Sequence, residues 1–140
     1  MFSINRRTDY ACRIILHLAM SSPDERVTAQ AIAEQRQVPR ALVRRVITQL
    51  ANAQIVVTTR GNAGGLALAR PASEISLLDV VQAMEGPLAL NTCVVNPKEC
   101  SLVEACPAHE AWAKARAALQ AKLGQITFDK LAQRGKILAA

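Results

Sequence analysis

The sequence predicts a mainly α-helical protein with one small two-stranded β-sheet and a long helix near the C-terminus. Apolar residues recur at helical spacing through most of the 140 residues, and only four residues are aromatic. Three of the six glycines lie between two short alternating apolar stretches, which indicates a single hairpin at about residues 55–69. The length suits one domain with a real core and is too short for two independent ones.

The charge of the chain is concentrated in its first half. Residues 1–70 hold ten arginines, no lysine and four acids, which accounts for the whole net charge of +6. Residues 71–140 balance, with seven basic and seven acidic side chains. Arginine suits bidentate contacts with phosphate and guanine, and a basic half is typical of a nucleic-acid face. The alternative is an ordinary solvated surface.

The first helix is predicted from Asn5 to about Met20, because Tyr10, Ile14 and Leu18 recur at intervals of four residues. Cys12 lies within this apolar pattern and is interpreted as a core thiol. His17 lies on the more polar side and is interpreted as structural.

A helix-turn-helix is predicted next. Thr28 caps a short helix to about Arg36, and Pro39 opens a second helix that runs to Asn52. The second helix has an apolar stripe formed by Leu42, Val43, Val46, Ile47 and Leu50. Its opposite face carries Arg40, Arg44, Arg45 and Thr48. Arginines at the start of this helix belong at the end that enters the major groove of DNA.

A two-stranded wing is predicted directly after this motif. Ile55, Val57 and Thr59 alternate as one strand, and residues 66–69 form the second. The turn at residues 60–65 is rich in glycine, which permits positive φ and close backbone approach. Arg60 and Asn62 at its tip are expected to reach phosphate or the minor groove. An ordinary glycine-rich hairpin is the alternative.

The second half is predicted to contain two further helices. Ser76 and Asp79 have capping-box spacing and start a helix that Gly86 ends. Pro107 opens a long helix with an apolar seam formed by Trp112, Ala115, Leu119, Leu123 and Ile126. This seam favours pairing with a second subunit over packing on the chain's own core. Residues after Lys130 are expected to fray.

These patterns divide the chain into a winged helix-turn-helix region (1–86), a cysteine segment (87–106), and a dimerisation helix with a C-terminal tail (107–140).

The cysteine segment carries Cys93, Cys100 and Cys106 in a Cys-x6-Cys-x5-Cys pattern, with His109 three positions on. Thiolate and imidazole are ligands that iron–sulfur clusters and zinc prefer. The spacing matches neither zinc fingers nor ferredoxins. A disulfide or three unrelated buried thiols are the alternatives.

Other classes of protein are disfavoured. The N-terminus lacks the apolar segment of a signal peptide, and no apolar run is long enough to span a bilayer, so a cytoplasmic protein is expected. A reducing compartment disfavours a structural disulfide. The chain has no nucleotide-binding glycine loop and no Ser/His/Asp set. We therefore expect no catalytic residues, no enzyme activity, no small-molecule substrate and no membrane partner.

The order of motifs resembles the Rrf-two family of winged-helix transcription regulators. The resemblance rests on three stretches: Asp9-Tyr10-Ala11, then Arg60-Gly-x-x-Gly64-Gly65-x-x-Leu68-Ala69, and then residues 75–86 from Ile75 to Gly86. It implies a homodimeric repressor on a palindromic double-stranded DNA operator. It also implies that operator affinity depends on an iron–sulfur cluster that senses iron, redox state or nitric oxide.

The resemblance further implies the ligands of that cluster. Cys93, Cys100 and Cys106 would bind as thiolates. His109 is similar to the fourth ligand of IscR-type members, which favours [2Fe-2S]. Asp9 of the partner subunit is similar to the ligand of NsrR-type members, which would give [4Fe-4S]. The first cysteine interval is one residue longer than in IscR-type members.

The predicted DNA contacts and the alternative function complete the expectations. The predicted DNA-contacting residues are Arg6, Arg7, Thr28, Arg40, Arg44, Arg45, Thr48, Arg60, Gly61 and Asn62. The alternative function is a winged-helix regulator that uses its cysteines for zinc or as a thiol/disulfide redox switch.

Overall fold

The computed structural model describes residues 3–61 and 64–140. The helices are α1 (Arg6–Met20), α2 (Ala29–Gln35), α3 (Arg40–Asn52), α4 (Leu77–Glu85), α5 (Thr92–Val95), α6 (Pro107–Gln125) and α7 (Phe128–Ala139). The strands are β1 (Val56–Thr58) and β2 (Leu66–Leu68), and 3-10 turns span Ala72–Glu74 and Pro97–Glu99. The predicted class, mainly α with a small antiparallel sheet, is confirmed.

Side-chain caps fix where three helices begin. Asn5 accepts a hydrogen bond from the Thr8 amide at 2.9 Å, and Thr28 accepts one from the Ala31 amide at 3.2 Å. Ser76 and Asp79 bond reciprocally as the predicted capping box. Each cap satisfies an amide that has no partner within its helix, and replacing such a residue by alanine typically costs about 1 kcal/mol.

The core lies where α1 meets α3, α4 and α7. Ile14 and Ile15 of α1, Leu50 of α3 and Val80 of α4 are almost fully buried there. Within residues 3–61 and 64–140, no helix is long and apolar enough to cross a bilayer.

The C-terminal residues differ from the prediction. The stretch after Lys130 was expected to fray, and that prediction is wrong because it forms most of α7. Phe128 is 1% exposed in the core, and its amide donates to the Ile75 carbonyl at 2.9 Å. At Gly135, a Cβ would lie 2.8 Å from the Met20 sulfur. The absence of a side chain at Gly135 therefore lets α7 pack closely against α1.

The hairpin is short and is joined to the helix-turn-helix. Thr58 pairs with Leu66, and the Leu66 amide also donates to the Val27 carbonyl at 2.7 Å, next to the start of α2. A Cβ at Gly64 would lie 2.2 Å from the Thr59 carbonyl oxygen, so the tight turn requires glycine there. The predicted contact residue Asn62 lies outside the described residues.

His17 joins α1 to the turn between α2 and α3. Arg36 Nε donates to His17 Nδ1 at 3.0 Å, and Arg13 Nη1 donates to the Arg36 carbonyl at 3.3 Å. A guanidinium nitrogen can only donate, so His17 must be neutral at Nδ1 in this arrangement. Burial and the nearby Arg36 charge lower the pKa of His17 below its ordinary 6.5, although Glu25 acts in the opposite direction.

Acid should therefore destabilise the fold through His17. Because its folded-state pKa is lowered, the unfolded chain binds the proton first, and stability is lost as pH falls from 6.5 towards the folded pKa. Urea unfolding of wild type and His17→Gln at about pH 7.5 and about pH 5.5 measures this. We expect wild type to lose more stability than the variant on acidification. Equal losses in the two proteins would contradict the assignment.

Candidate DNA-binding face and cysteine segment

The outer face of α3 is basic and polar. The buried side of this helix consists of Val43, Val46, Ile47 and Leu50. On the opposite side, Arg40, Arg44, Arg45 and Thr48 are all exposed, as predicted. Leu42, which was predicted to be in the apolar stripe, is half-buried. The buried stripe fixes the rotation of α3, and the arginines consequently point to solvent from its first two turns.

The other predicted contacts lie on three separate segments. Arg6 and Arg7 are exposed in the first turn of α1, and Arg60 and Gly61 are exposed after β1. Gly61 has φ +95°, a conformation that side-chain-bearing residues rarely adopt. Thr28 is half-buried, and its hydroxyl oxygen is occupied as the cap of α2. Thr28 is thus a structural cap at the edge of the predicted face.

Arg40 has a partner that sequence reasoning missed. Its Nη2 donates to Glu34 Oε1 of α2 at 2.6 Å. The two residues are six positions apart across the turn, so no helical or strand periodicity would have paired them. The turn that brings them together passes through Gln37, whose φ is +53°.

The cysteine segment forms three short structural pieces. Cys93 lies in α5, Cys100 follows the 3-10 turn Pro97–Glu99, and Cys106 is the residue before α6. All three are free thiols and half-buried. His109, in the first turn of α6, has an Nδ1 atom that is buried without a hydrogen-bond partner among the described residues.

The chemistry of these donors fits an iron–sulfur cluster or zinc, while their placement is not that of an assembled site. A buried imidazole nitrogen without a partner is uncommon, and it is a suitable metal ligand. Across the part of the chain that the structure describes, however, no group of three or more His, Cys, Asp or Glu side chains is arranged to hold a metal ion. The predicted ligand set therefore stays a prediction.

Two α1 residues bear on this site. Asp9, the alternative fourth ligand, forms an ion pair with Arg13 at 2.8 Å. Cys12 packs against the core, as predicted, and burial followed by the Asp9 charge raises the pKa of its thiol to about 11. Cys12 is therefore a protonated thiol at neutral pH, which suits neither metal ligation nor nucleophilic reactivity.

A polar contact connects the end of α4, which precedes the cysteine segment, with the start of α1. Glu85 ends α4 directly before the cysteine segment, and its Oε1 accepts from the Asn5 amide at 2.9 Å and from the Thr8 hydroxyl at 2.5 Å. Thr8 is fully buried, and Arg6 and Arg7 lie between the two donors. We call this group of Asn5, Thr8 and Glu85 the α1–α4 joint.

The short helix α2, the basic helix α3 and the two-stranded hairpin together define a winged helix-turn-helix protein, a class that binds duplex DNA. Over residues 4–134 the chain matches the family described as "Rrf2: Iron-dependent Transcriptional regulator", and it belongs to this Rrf2 (Rrf-two) family. The predicted family membership is confirmed, and the related proteins named below are regulators.

The similar proteins include a transcriptional regulator named NsrR and two structures of CymR. The chain is 30% identical over 139 residues to the HTH-type transcriptional regulator NsrR of Oceanobacillus iheyensis, covering 99% of this chain and 95% of the relative. Its fold is similar to CymR (YrzC), the global cysteine regulator of B. subtilis, with TM-score 0.75, 22% identity and coverage of 96% and 98%. The oxidised form of Staphylococcus aureus CymR has TM-score 0.72, 25% identity and coverage of 94% and 96%.

Proposed function

We propose that this protein is a homodimeric repressor that binds a palindromic operator through α3 and the hairpin. The observation that carries the proposal is the face of α3, where Arg40, Arg44, Arg45 and Thr48 are exposed opposite a fully packed apolar side. Arg40 and Arg44 lie nearest the helix start and are assigned to base edges, where arginine pairs with guanine O6 and N7. Arg6, Arg7, Arg45 and Arg60 are assigned to phosphates, and Gly61 and Asn62 are assigned to further contacts with DNA.

The contact with the second subunit is assigned to α6. None of the 19 residues of α6 is buried, and the large apolar residues Trp112 and Leu119 are 36% and 37% exposed. A second copy of the same helix would cover this seam in a two-fold arrangement. Two-fold symmetry would then present two copies of α3 to half-sites roughly 34 Å apart, one helical turn of DNA.

Replacing Arg44 by alanine should weaken and broaden DNA recognition. We expect operator affinity to fall by about 1–3 kcal/mol, roughly 5- to 150-fold, with relaxed preference at one position of each half-site. Selection from a random duplex library by wild type first defines the operator, and titration of each variant measures the loss. Arg134→Ala on α7 is the matched control, because Arg134 is also exposed but lies outside α2, α3 and the hairpin. If Arg44→Ala left operator affinity and sequence preference unchanged, α3 would not be the helix that contacts base edges.

The cysteine segment is assigned the sensing role, through an iron–sulfur cluster. Cys93, Cys100 and Cys106 would hold it as thiolates, and the buried, unpartnered Nδ1 of His109 supports His109 as the fourth ligand of a [2Fe-2S] site. Asp9 of the partner subunit, with [4Fe-4S], is the alternative, and it would have to give up its ion pair with Arg13. A bound cluster would supply iron that responds to iron limitation, oxidation or nitric oxide.

The chain's own residues would transmit that change. The cysteine segment follows Glu85, and Glu85 is hydrogen-bonded to the start of α1 through the α1–α4 joint. Movement of the segment would therefore shift the positions of Arg6 and Arg7. A shift of about 1–3 kcal/mol between two arrangements changes affinity by roughly 5- to 150-fold. Such a shift lies within the range of one or two polar contacts.

A thiol switch is the second candidate. The three cysteines of the segment are free and half-buried, and among the described residues they do not form an assembled metal site. The likeness to an oxidised form of CymR also favours it. In this reading two of these thiols form a reversible disulfide, with the two electrons passing to a cellular oxidant. Zinc bound by the same residues is a further alternative that metal analysis separates.

A further inference from the structure

Glu34 lies directly against the first arginine of the recognition helix α3. The Glu34–Arg40 pair is largely exposed, with side-chain exposures of 54% and 72%. Gln30, one turn earlier in α2, donates to the same Glu34 oxygen at 3.3 Å. Gln30, Glu34 and Arg40 thus form a small polar group on the outside of the helix-turn-helix, which we call the Glu34 group.

The fold gains little from this group. An exposed ion pair contributes about 0.2–1 kcal/mol to stability, because water screens it and two long side chains must be ordered. A carboxylate beside a DNA-binding face also carries a cost in binding, since it repels the phosphates that supply most non-specific affinity. The contribution that this group can make is therefore to which DNA sequence is bound, rather than to the affinity for DNA in general.

We propose that Glu34 is a specificity-determining residue that keeps Arg40 from binding phosphate and directs it to base edges. This inference rests on the proposed function. Arg40 bonded to Glu34 through Nη2 retains other N–H donors for guanine O6 and N7. Glu34 itself can accept from cytosine N4. Arg40 and Glu34 can therefore both form hydrogen bonds only where the DNA presents guanine and cytosine edges in the correct positions. Phosphates, in contrast, are present in DNA of any sequence.

Replacing Glu34 by glutamine should raise binding to the wrong DNA. Arg40 is released to contact phosphate, so affinity for a duplex of unrelated sequence should rise about three- to tenfold. The plot of log affinity against log salt should steepen by about one unit, because one more counterion is displaced. Operator affinity should change less, and the ratio of operator to unrelated affinity should fall by a similar three- to tenfold factor.

The experiment uses the full chain and two duplexes: the operator selected by wild type from a random library, and a scrambled duplex of the same composition. Each is titrated over a series of salt concentrations. Glu110→Gln is the matched control, because Glu110 forms the same kind of exposed ion pair, with Lys114 at 2.5 Å on α6. The double variant Glu34→Gln/Arg40→Gln tests the mechanism, since the gain on scrambled DNA should disappear once Arg40 is gone.

The outcomes separate this inference from the proposed function. If Glu34→Gln leaves the salt slope and the ratio of operator to unrelated affinity unchanged, while wild type is still selective, the role of Glu34 is overturned. The proposed function then stands. If the gain in affinity for scrambled DNA persists in the double variant, Glu34 acts only by repelling phosphate. That result overturns the proposed action through Arg40. A wild type that enriches no sequence from the random library overturns the proposed DNA-binding function and this inference with it.

Discussion

Phe128→Ala should lose about 3–5 kcal/mol of unfolding free energy, a large share of the total for a domain of this size. Phe128 is 1% exposed in the hydrophobic core, and its helix packs against α1 and the 3-10 turn Ala72–Glu74. Truncating the ring removes buried apolar area and leaves a cavity that the surrounding helices fill only in part. The midpoint of thermal unfolding should fall by about 10–20 °C.

Urea unfolding at fixed protein concentration measures this effect, because a dimer's apparent stability depends on concentration. Leu138→Ala is the matched control: Leu138 lies on the same helix but is 70% exposed, so its loss should cost less than about 0.5 kcal/mol. If the two variants unfolded at the same urea concentration, α7 would not be part of the core.

Cys100→Ala should abolish metal binding in the cysteine segment. Wild type purified without oxygen is expected to carry iron and to absorb visible light, and the variant should be colourless and free of iron. The reason is that Cys100 lies between the other two thiols of the segment and would supply one of the three proposed thiolate ligands. Iron and sulfide analysis with absorption and Mössbauer spectra measures the loss and distinguishes two irons from four.

Cys12→Ala is the control for this experiment. Its thiol is packed against the core, with a pKa of about 11, so its removal should leave colour and iron content unchanged. Loss of colour in His109→Ala but not in Asp9→Ala would assign the fourth ligand to His109, and the reverse would assign it to Asp9. A colourless wild type with one bound zinc contradicts the iron assignment. A metal-free wild type that forms a disulfide under mild oxidant favours the thiol switch.

The sequence predicted the elements whose signals are local. Thr28 and Ser76 mark helix starts because their hydroxyls bond amides three residues on, and the α3 stripe separates a buried from a basic face within one helix. The glycine-rich turn likewise predicted the hairpin, since Gly64 leaves no room for a side chain.

The features that the sequence did not predict depend on distant partners. Ile126 was taken as the end of the α6 seam, but it lies beyond that helix, and its carbonyl accepts from the Leu77 amide at 2.9 Å. That hydrogen bond lies directly before α7, which packs against the core. No local sequence pattern predicts this packing. The pairing of Glu34 with Arg40 depends in the same way on the turn geometry at Gln37.

The cysteines illustrate a different limit. Their number and spacing identify the chemistry of the donors, because thiolate and imidazole are a distinctive set. Spacing in a segment of short helices does not determine which side chains converge, and among the described residues no three of them are placed to hold a metal ion. Ligand chemistry was therefore predictable, and ligand geometry was not.

The α1–α4 joint has a consequence for engineering chimeras. Because Glu85 holds Asn5 and Thr8 immediately before the cysteine segment begins, a natural boundary for exchange lies at Gly86, where φ is +82°. A hybrid that keeps the joint and takes residues 87–106 from another member of the family should retain this chain's operator preference while answering to the donor's stimulus. A reporter strain carrying such a graft would need Thr8 and Glu85 intact for its response to survive.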